Sequence, residues 1–372
     1  MRILLLNWQD WTHPLAGGAE VHLREIFRRI VKRGHSVDLL CSSYPGAQRE
    51  EILDGVRIIR RGGRSTFNFS AAVAYRRELR RTAYDIVVED VNKIPFYSTL
   101  YIPLPRLVIV PHLFGTTAFR EVSWPLAAYV YAWELPMRRI YQRARFEAIS
   151  ESTREDLVGR GIPEDRIHVV YCGIDREEFG RCPDWIASDP PYILYLGRIK
   201  RYKRIELVLE AFKRVREREE DVRLVIAGEG DHRDALERRS REMGLDSAVS
   251  FTGHVSGREK VRLLQRAAIV MNTSEKEGWG LTNVEAQACG CPVVATDSPG
   301  IRESLRNERT GFLVPGRDVA ALADRALRIL GNPGLRMSFS EEASRWAGQF
   351  SWDRAVDQTL ELIERVIAEH AG

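Results

Sequence analysis

Cysteine is scarce in this chain: Cys41, Cys172, Cys182, Cys289 and Cys291 are the five among 372 residues. The number is odd and no Cys-x-x-Cys pair occurs. Cys289-Gly-Cys291 has too few partners to read as a zinc knuckle. A disulfide framework is therefore not expected, and reduced thiols in a cytosolic compartment are. Long apolar runs are missing too. No stretch reaches the roughly 18 residues that a membrane span needs. The opening Met1-Arg-Ile-Leu-Leu-Leu-Asn-Trp8 is too short and too soon polar for a signal peptide. Nor does one sign of charge dominate. Lys and Arg number 56, Asp and Glu 52, for a net +4. That excess is too small for a dedicated nucleic-acid binder. It leaves room for a local phosphate site, or for a basic face at an anionic membrane.

Several motifs are absent as well. The dinucleotide fingerprint Gly-x-Gly-x-x-Gly is missing at the first turn, against NAD or FAD binding. No Asp-x-Asp tripeptide and no His/Cys/Asp cluster with metal spacing occurs, which disfavours a metal-dependent transferase of the single-sheet type. There is neither a Gly-x-Ser-x-Gly elbow nor a P-loop.

What is present is an ordinary globular balance, 44% hydrophobic and 29% charged. At about 150 residues per domain the length suggests two domains. The chain opens on a strand, Ile3–Leu6, and a turn at Gly17-Gly18. An amphipathic helix (Val21, Leu23, Ile26, Phe27, Ile30, Val31) ends at Gly34, and a second strand follows, Ser36–Leu40. Strand, helix, strand in this short span is a βαβ unit of a parallel sheet. Further strands are expected at 56–59, 85–88, 107–110, 146–149 and 168–171.

The pattern restarts at Tyr192–Leu196, with strands at 222–227, 249–252, 268–272, 292–295 and 311–313. Helices near 205–219, 233–243, 257–265, 284–288 and 319–330 alternate with them. Pro183, Pro190 and Pro191 mark the join at Arg181–Pro191. The predicted domains are 1–184 and 185–351. A final amphipathic helix from Trp352 has no strand after it and must cap something. The fold class is α/β, two Rossmann-like βαβ domains facing across a cleft. Ligands of such sheets bind at the carboxyl ends of the strands, so site residues should lie just after strands.

Gly17-Gly18 precedes the first helix, where a backbone can approach an anionic ligand; the plainer alternative is a turn. Arg198 and Lys203 follow the first strand of the second array, thickened by Arg201 and Arg204. Such cations suit a diphosphate leaving group, on which charge builds as the bond breaks. The alternative is a solvated basic loop. Glu277 closes the loop after the strand 268–272, and Glu285 lies eight residues on, inside the next helix. Between them Gly278, Trp279, Gly280, Leu281 and Thr282 open that helix and offer amides to a phosphate. One acid can grip sugar hydroxyls and the other ribose; the alternative is a capped helix with surface acids. His112 follows the strand 107–110, at the cleft edge of the first sheet.

These residues resemble glycosyltransferase family 4, retaining enzymes of the GT-B fold. Gly197-Arg198 with Lys203 resembles that family's Gly-Arg-x4-Lys clamp, and Glu277 with Glu285 its Glu-x7-Glu motif. Ser150-Glu-Ser-Thr153, Cys172-Gly-Ile-Asp175, Pro299-Gly300-x-x-Glu303 and Thr310-Gly-Phe-Leu-Val314 complete the pattern. The resemblance implies a first domain that meets the acceptor and a second that binds a nucleoside-diphosphate sugar, with the last helix, about 352–372, crossing back to the first. It implies that Arg198 and Lys203 neutralise the diphosphate, Glu277 contacts the hexose and Glu285 the ribose. Gly17 and Gly18 would back the diphosphate, the loop Gly253-His254-Val255 would hold the base, and His112 would face the donor sugar. Three departures stand out. Arg204 follows Lys203 where the family has Gly, Cys172 stands where it has Asn, and His112 is followed by Leu113 and not Asp.

The reaction expected is hexosyl transfer from a UDP- or GDP-sugar with retained anomeric configuration, without metal or other cofactor. The expected acceptor is a glycan or a lipid-linked molecule, in cell-envelope, polysaccharide or glycolipid synthesis. Arg76-Arg77, Arg80-Arg81, Arg138-Arg139, Arg143 and Arg145 accompany Trp124, Tyr129, Tyr131 and Trp133 in the first domain. Basic and aromatic groups together suit an anionic membrane surface, hence a cytoplasmic protein peripheral to the membrane; solvated arginines and core aromatics are the alternative. The rival readings are another GT-B enzyme (an epimerase or phosphorylase), a dinucleotide-dependent oxidoreductase and a silent binding module.

Overall fold

A computed structural model describes residues 1–115, 119, 123–181 and 188–371. The chain divides into two compact units. One comprises Met1–Gly173 together with the helix that begins at Trp352; the other comprises Ile174–Ser351.

The first unit is built on an eight-stranded sheet. Its strands are β1 (Arg2–Leu6), β2 (Ser36–Cys41), β3 (Glu50–Leu53), β4 (Val56–Arg60), β5 (Ile86–Asp90), β6 (Arg106–Val110), β7 (Arg145–Ala148) and β8 (Ile167–Val169). Their order is β3-β4-β2-β1-β5-β6-β7-β8. All neighbours run parallel except β3 and β4. The central strands are continuous apolar runs because helices cover both faces: Ile3 to Leu6 are wholly buried. The helix Gly18–Lys32 turns Leu23, Ile26, Phe27 and Ile30 inward. The closing helix, Trp352–Ala371, packs along it and buries Trp352, Val356, Leu362 and Ile363. Arg29 Nε lies 3.4 Å from Asp353 and Arg145 Nε 2.7 Å from Glu369, so ion pairs fasten both ends of this helix.

The second unit has six strands: β9 (Tyr192–Leu196), β10 (Arg223–Ala227), β11 (Val249–Gly253), β12 (Ile269–Asn272), β13 (Val293–Asp297) and β14 (Gly311–Pro315). Their order is β11-β10-β9-β12-β13-β14, all parallel. The order reverses between β9 and β12, which is the topological switch point where doubly wound sheets take ligands. In the first unit the corresponding reversal lies between β1 and β5.

The sequence-based boundary at 184/185 falls among residues 182–187, outside the described residues, as do Cys182 and Pro183. The division lies earlier, at Gly173/Ile174. Its cause is local: the Ile174 amide donates to the Phe350 carbonyl at 3.2 Å, and Ile174 bridges to Ser351. The chain thus enters and leaves the second unit side by side. Among the described residues six α-helices appear that periodicity did not mark: Phe67–Ala74, Trp124–Glu134, Met137–Ile140, Glu151–Gly159, Ile301–Ser304 and Pro333–Ala347.

Candidate active site

The strongest sequence candidates of the second unit gather at its switch point. After β9 the chain passes through Gly197 and Arg198 into a single turn, Arg201–Lys203. Arg198 is exposed, and its carbonyl accepts a 3.0 Å bond from the buried Tyr195 hydroxyl. The turn is fixed from the neighbouring strand: the Thr273 hydroxyl, just past β12, donates to the carbonyls of Lys203 (3.0 Å) and Arg204 (2.9 Å). Lys203 bonds through its ammonium to the carboxylate of Glu277. Both side chains are mostly buried. Burial works against the charge on Lys203, but the adjacent Glu277 carboxylate outweighs it and holds the amine above its usual range. The Ser274 hydroxyl donates to the same Glu277 oxygen at 2.8 Å.

Two glycines make this arrangement possible. Gly228, after β10, has φ +141°, and a Cβ there would come within 1.9 Å of the Gly197 carbonyl oxygen. Gly300 has φ +78°, and its Cβ would meet the Glu277 carbonyl oxygen at 2.2 Å. The Glu277 amide in turn donates to the Pro299 carbonyl at 3.0 Å. The loops that carry Arg198 and Glu277 are therefore each pressed against a neighbouring loop by a residue without a side chain.

The helix Leu281–Ala288 starts from Gly280, which is left-handed at φ +73°. The amides of Leu281 and Thr282 occupy its first turn, where helix geometry supplies no acceptor. Trp279 precedes that glycine. Its indole is 3% exposed and packs edge-on to Phe350 at 5.0 Å. Only its backbone is placed to serve a ligand. Glu285 is buried on the helix and paired with Lys260 of the helix Gly257–Arg266; that ammonium also sits 5.0 Å above the Phe179 ring. Burial raises the Glu285 carboxyl, and Lys260 opposes the rise. Lys260 was not singled out in the sequence. Nothing in its neighbourhood of charged residues separated it from a solvated helix face. His254 is exposed after β11 and Val255 is half-buried.

In the first unit the turn at Gly17-Gly18 is held by Glu20, whose carboxylate accepts the Gly17 amide at 2.6 Å and the Asn92 side chain at 3.0 Å. The Gly17 amide is thereby engaged within the protein. His112 lies half-buried after β6, its ring 5.1 Å from Phe114. Its loop is anchored by the buried Glu134, which accepts the amides of Phe114 and Gly115, both at 3.0 Å, and pairs with Arg160 at 2.9 Å. Thr153 adds a 3.2 Å bond to the Pro111 carbonyl. Glu134 escaped sequence reading because it ends a stretch without apolar periodicity.

Two Rossmann-like units, with cations and an acid at the carboxyl ends of the strands flanking a switch point, define the GT-B class. Sucrose-phosphate synthase from Thermosynechococcus elongatus has this fold, with a TM-score of 0.84 at 20% identity over 99% of both chains. Anabaena HepE in complex with UDP and glucose gives 0.79 at 18% identity, over 98% of this chain and 100% of that one. The family model for Glycosyltransferase Family 4 matches residues 16–178, and that for Glycosyl transferases group 1 matches residues 183–346. The chain belongs to the group 1 glycosyltransferases and is a transferase enzyme. An uncharacterized glycosyltransferase of Methanocaldococcus jannaschii is 26% identical to it over 97% of each chain.

Proposed function

We propose that the enzyme transfers a hexosyl group from a UDP- or GDP-sugar to a glycan or lipid-linked acceptor, with retention and without metal. The observation that carries this reading is the Lys203–Glu277 pair at the switch point, with Lys203 in the same loop as Arg198 and Glu277 one strand away. Arg198 and Lys203 hold the diphosphate, and they favour its departure because they stabilise a charge that grows toward the transition state. Glu277 binds hexose hydroxyls, the amides from Gly278 to Thr282 take phosphate, and Glu285 takes ribose. His254 and Val255 flank the base. Gly17 and Gly18 back the diphosphate, and His112 serves the donor sugar. The departing diphosphate oxygen accepts the acceptor's proton in a front-face reaction. The HepE complex with UDP and glucose supports a nucleotide-sugar donor for this fold.

A screen of UDP, GDP and their sugars by thermal shift identifies the base, since a ligand stabilises by RT ln(1 + [L]/Kd). Arg198→Ala should lower kcat by about 100-fold while leaving the melting temperature nearly unchanged. Normal turnover in that variant would remove Arg198 from the clamp. Activity that persists in excess EDTA is the expected result for metal independence. Retention is read from the anomeric configuration of the product by NMR.

The membrane part of the proposal is supported by the helix Trp124–Glu134. Trp124 is 73% exposed and Leu126, Tyr129 and Tyr131 are exposed with it, so the helix shows aromatics to solvent. Among the described residues no helix is long and apolar enough to cross a membrane. Sedimentation with phosphatidylglycerol vesicles at low salt is the test, and a protein that stays in the supernatant refutes this part.

A further inference from the structure

The carboxyl edge of the first sheet carries a second polar constellation. Strands β4, β2, β1 and β5 are consecutive neighbours, so the loops that follow them lie in a row. The loop after β1 brings Thr12 and His13, that after β2 brings Tyr44, that after β4 brings Arg64, and that after β5 brings Lys93. The Thr12 hydroxyl lies 2.9 Å from the Tyr44 hydroxyl, and the Tyr44 ring stands edge-on to His13 at 5.0 Å.

A buried framework fixes these groups. Arg60 donates to Asp10 at 2.7 Å and to the Thr12 hydroxyl at 3.1 Å, and it also pairs with Glu51. Arg60 thus has its charge matched within the framework. The buried Gln9 amide donates to the Leu15 carbonyl at 2.9 Å and accepts the Lys93 ammonium at 2.9 Å. His13 Nδ1 accepts the Leu15 amide at 3.0 Å, which leaves its proton on Nε2. The imidazole sits below its ordinary range, first because it is buried and then because Lys93 and Arg64 act on it more strongly than Asp10 does. Lys93 and Arg64 both act on the His13 imidazole, so the two cations share this edge. Arg64 is exposed and Lys93 and Tyr44 are half-buried, so solutes reach it.

We propose that this edge is an oxyanion subsite for the acceptor: the acceptor carries a phosphate or carboxylate that Arg64 and Lys93 hold. The hydroxyls of Thr12 and Tyr44 and the Nε2 proton of His13 supply further polar contacts. A guanidinium and an ammonium together match such a group, one as a planar fork and the other as a point charge. The proposal rests on the glycosyltransferase reading above and adds the chemical class of its acceptor.

Calorimetric titration of the full chain, with nucleotide present, tests it. The probes are glucose, glucose 6-phosphate, glucuronate, and vesicles of phosphatidylcholine with or without phosphatidate. An anionic probe should bind about tenfold more tightly than its neutral counterpart, with an affinity that falls as salt rises. Arg64→Ala and Lys93→Ala should each remove about tenfold of that affinity, and Arg64→Lys should keep most of it. Nucleotide affinity should be unaltered in all three. Preference for glucose 6-phosphate or glucuronate assigns a soluble anionic acceptor; preference for phosphatidate vesicles alone assigns a lipid one. Equal binding of neutral and anionic probes, or undiminished affinity in both alanine variants, overturns the proposal. Failure of the unmodified chain to bind any nucleotide would instead count against the donor reading.

Discussion

The ammonium of Lys203 bonds the carboxylate of Glu277, and this pair ties the loop after β9 to the loop after β12 across the reversal of the second sheet. A cation meant for a leaving group and an acid meant for a sugar are thus pre-paired. Lys203→Met leaves a mostly buried carboxylate without its ammonium, at a cost of about 3 kcal/mol. The double variant Lys203→Met with Glu277→Gln should be more stable than Lys203→Met alone. Chemical denaturation of the four proteins completes the cycle; strictly additive losses would show that the two groups are not coupled.

Gly300→Ala should lower activity by at least about tenfold, because the new Cβ displaces the Glu277 backbone. Gly316 provides the control. Its φ is +57° but a Cβ there meets nothing within 4 Å. Gly316→Ala therefore carries only the conformational cost, about 1 kcal/mol, and should keep full turnover. Equal kinetic loss in both variants would mean that the contact with Glu277 is irrelevant.

A buried carboxyl makes stability depend on pH. Glu147 is pushed up to about 8 from 4.5 by burial, with Thr359 of the closing helix opposing the rise. The folded chain keeps this proton between those values while the unfolded chain releases it, so stability falls as pH rises from about 4.5 to 8. His22, buried and lowered to about 4, acts oppositely: its contribution grows as pH rises from 4 to 6.5. Glu147→Gln should melt several degrees higher than the parent at pH 9 and close to it at pH 5, a gap of at most roughly 5 kcal/mol. Parallel melting curves from pH 5 to 9 would disprove the assignment.

Glu134 holds the loop of His112 through two amides and an arginine. Glu134→Ala should cost about 1–3 kcal/mol, since those donors lose a buried acceptor. Turnover should fall with it, and Glu134→Gln should recover part of both. If activity is intact while stability drops, His112 does not depend on this anchor.

Much of the fold was legible because its strands are apolar runs closed by glycine or polar residues. Tyr192–Leu196 was readable in this way to the residue. The edge strand Glu50–Leu53 was not, since it carries two glutamates and pairs antiparallel on one side only. The helix Trp124–Glu134 was unreadable as a helix for the opposite reason: its apolar residues lie all round it, so no face stands out. In the site, Arg198, Lys203 and Glu277 declared themselves by following strands. Their supports did not. Gly228, Gly300, Lys260 and Glu134 work through contacts distant in sequence, and local pattern carries no trace of such partners.

The first unit is discontinuous in the chain. A ribosome that has released Gly173 has supplied all eight strands of that sheet, yet the helix that covers His22 and Glu147 begins only at Trp352, 352 − 173 = 179 codons further on. The second unit is complete before that helix is made. During synthesis the order of completion is therefore inverted: the domain begun second finishes first, and the domain begun first stays open until the helix Trp352–Ala371 arrives.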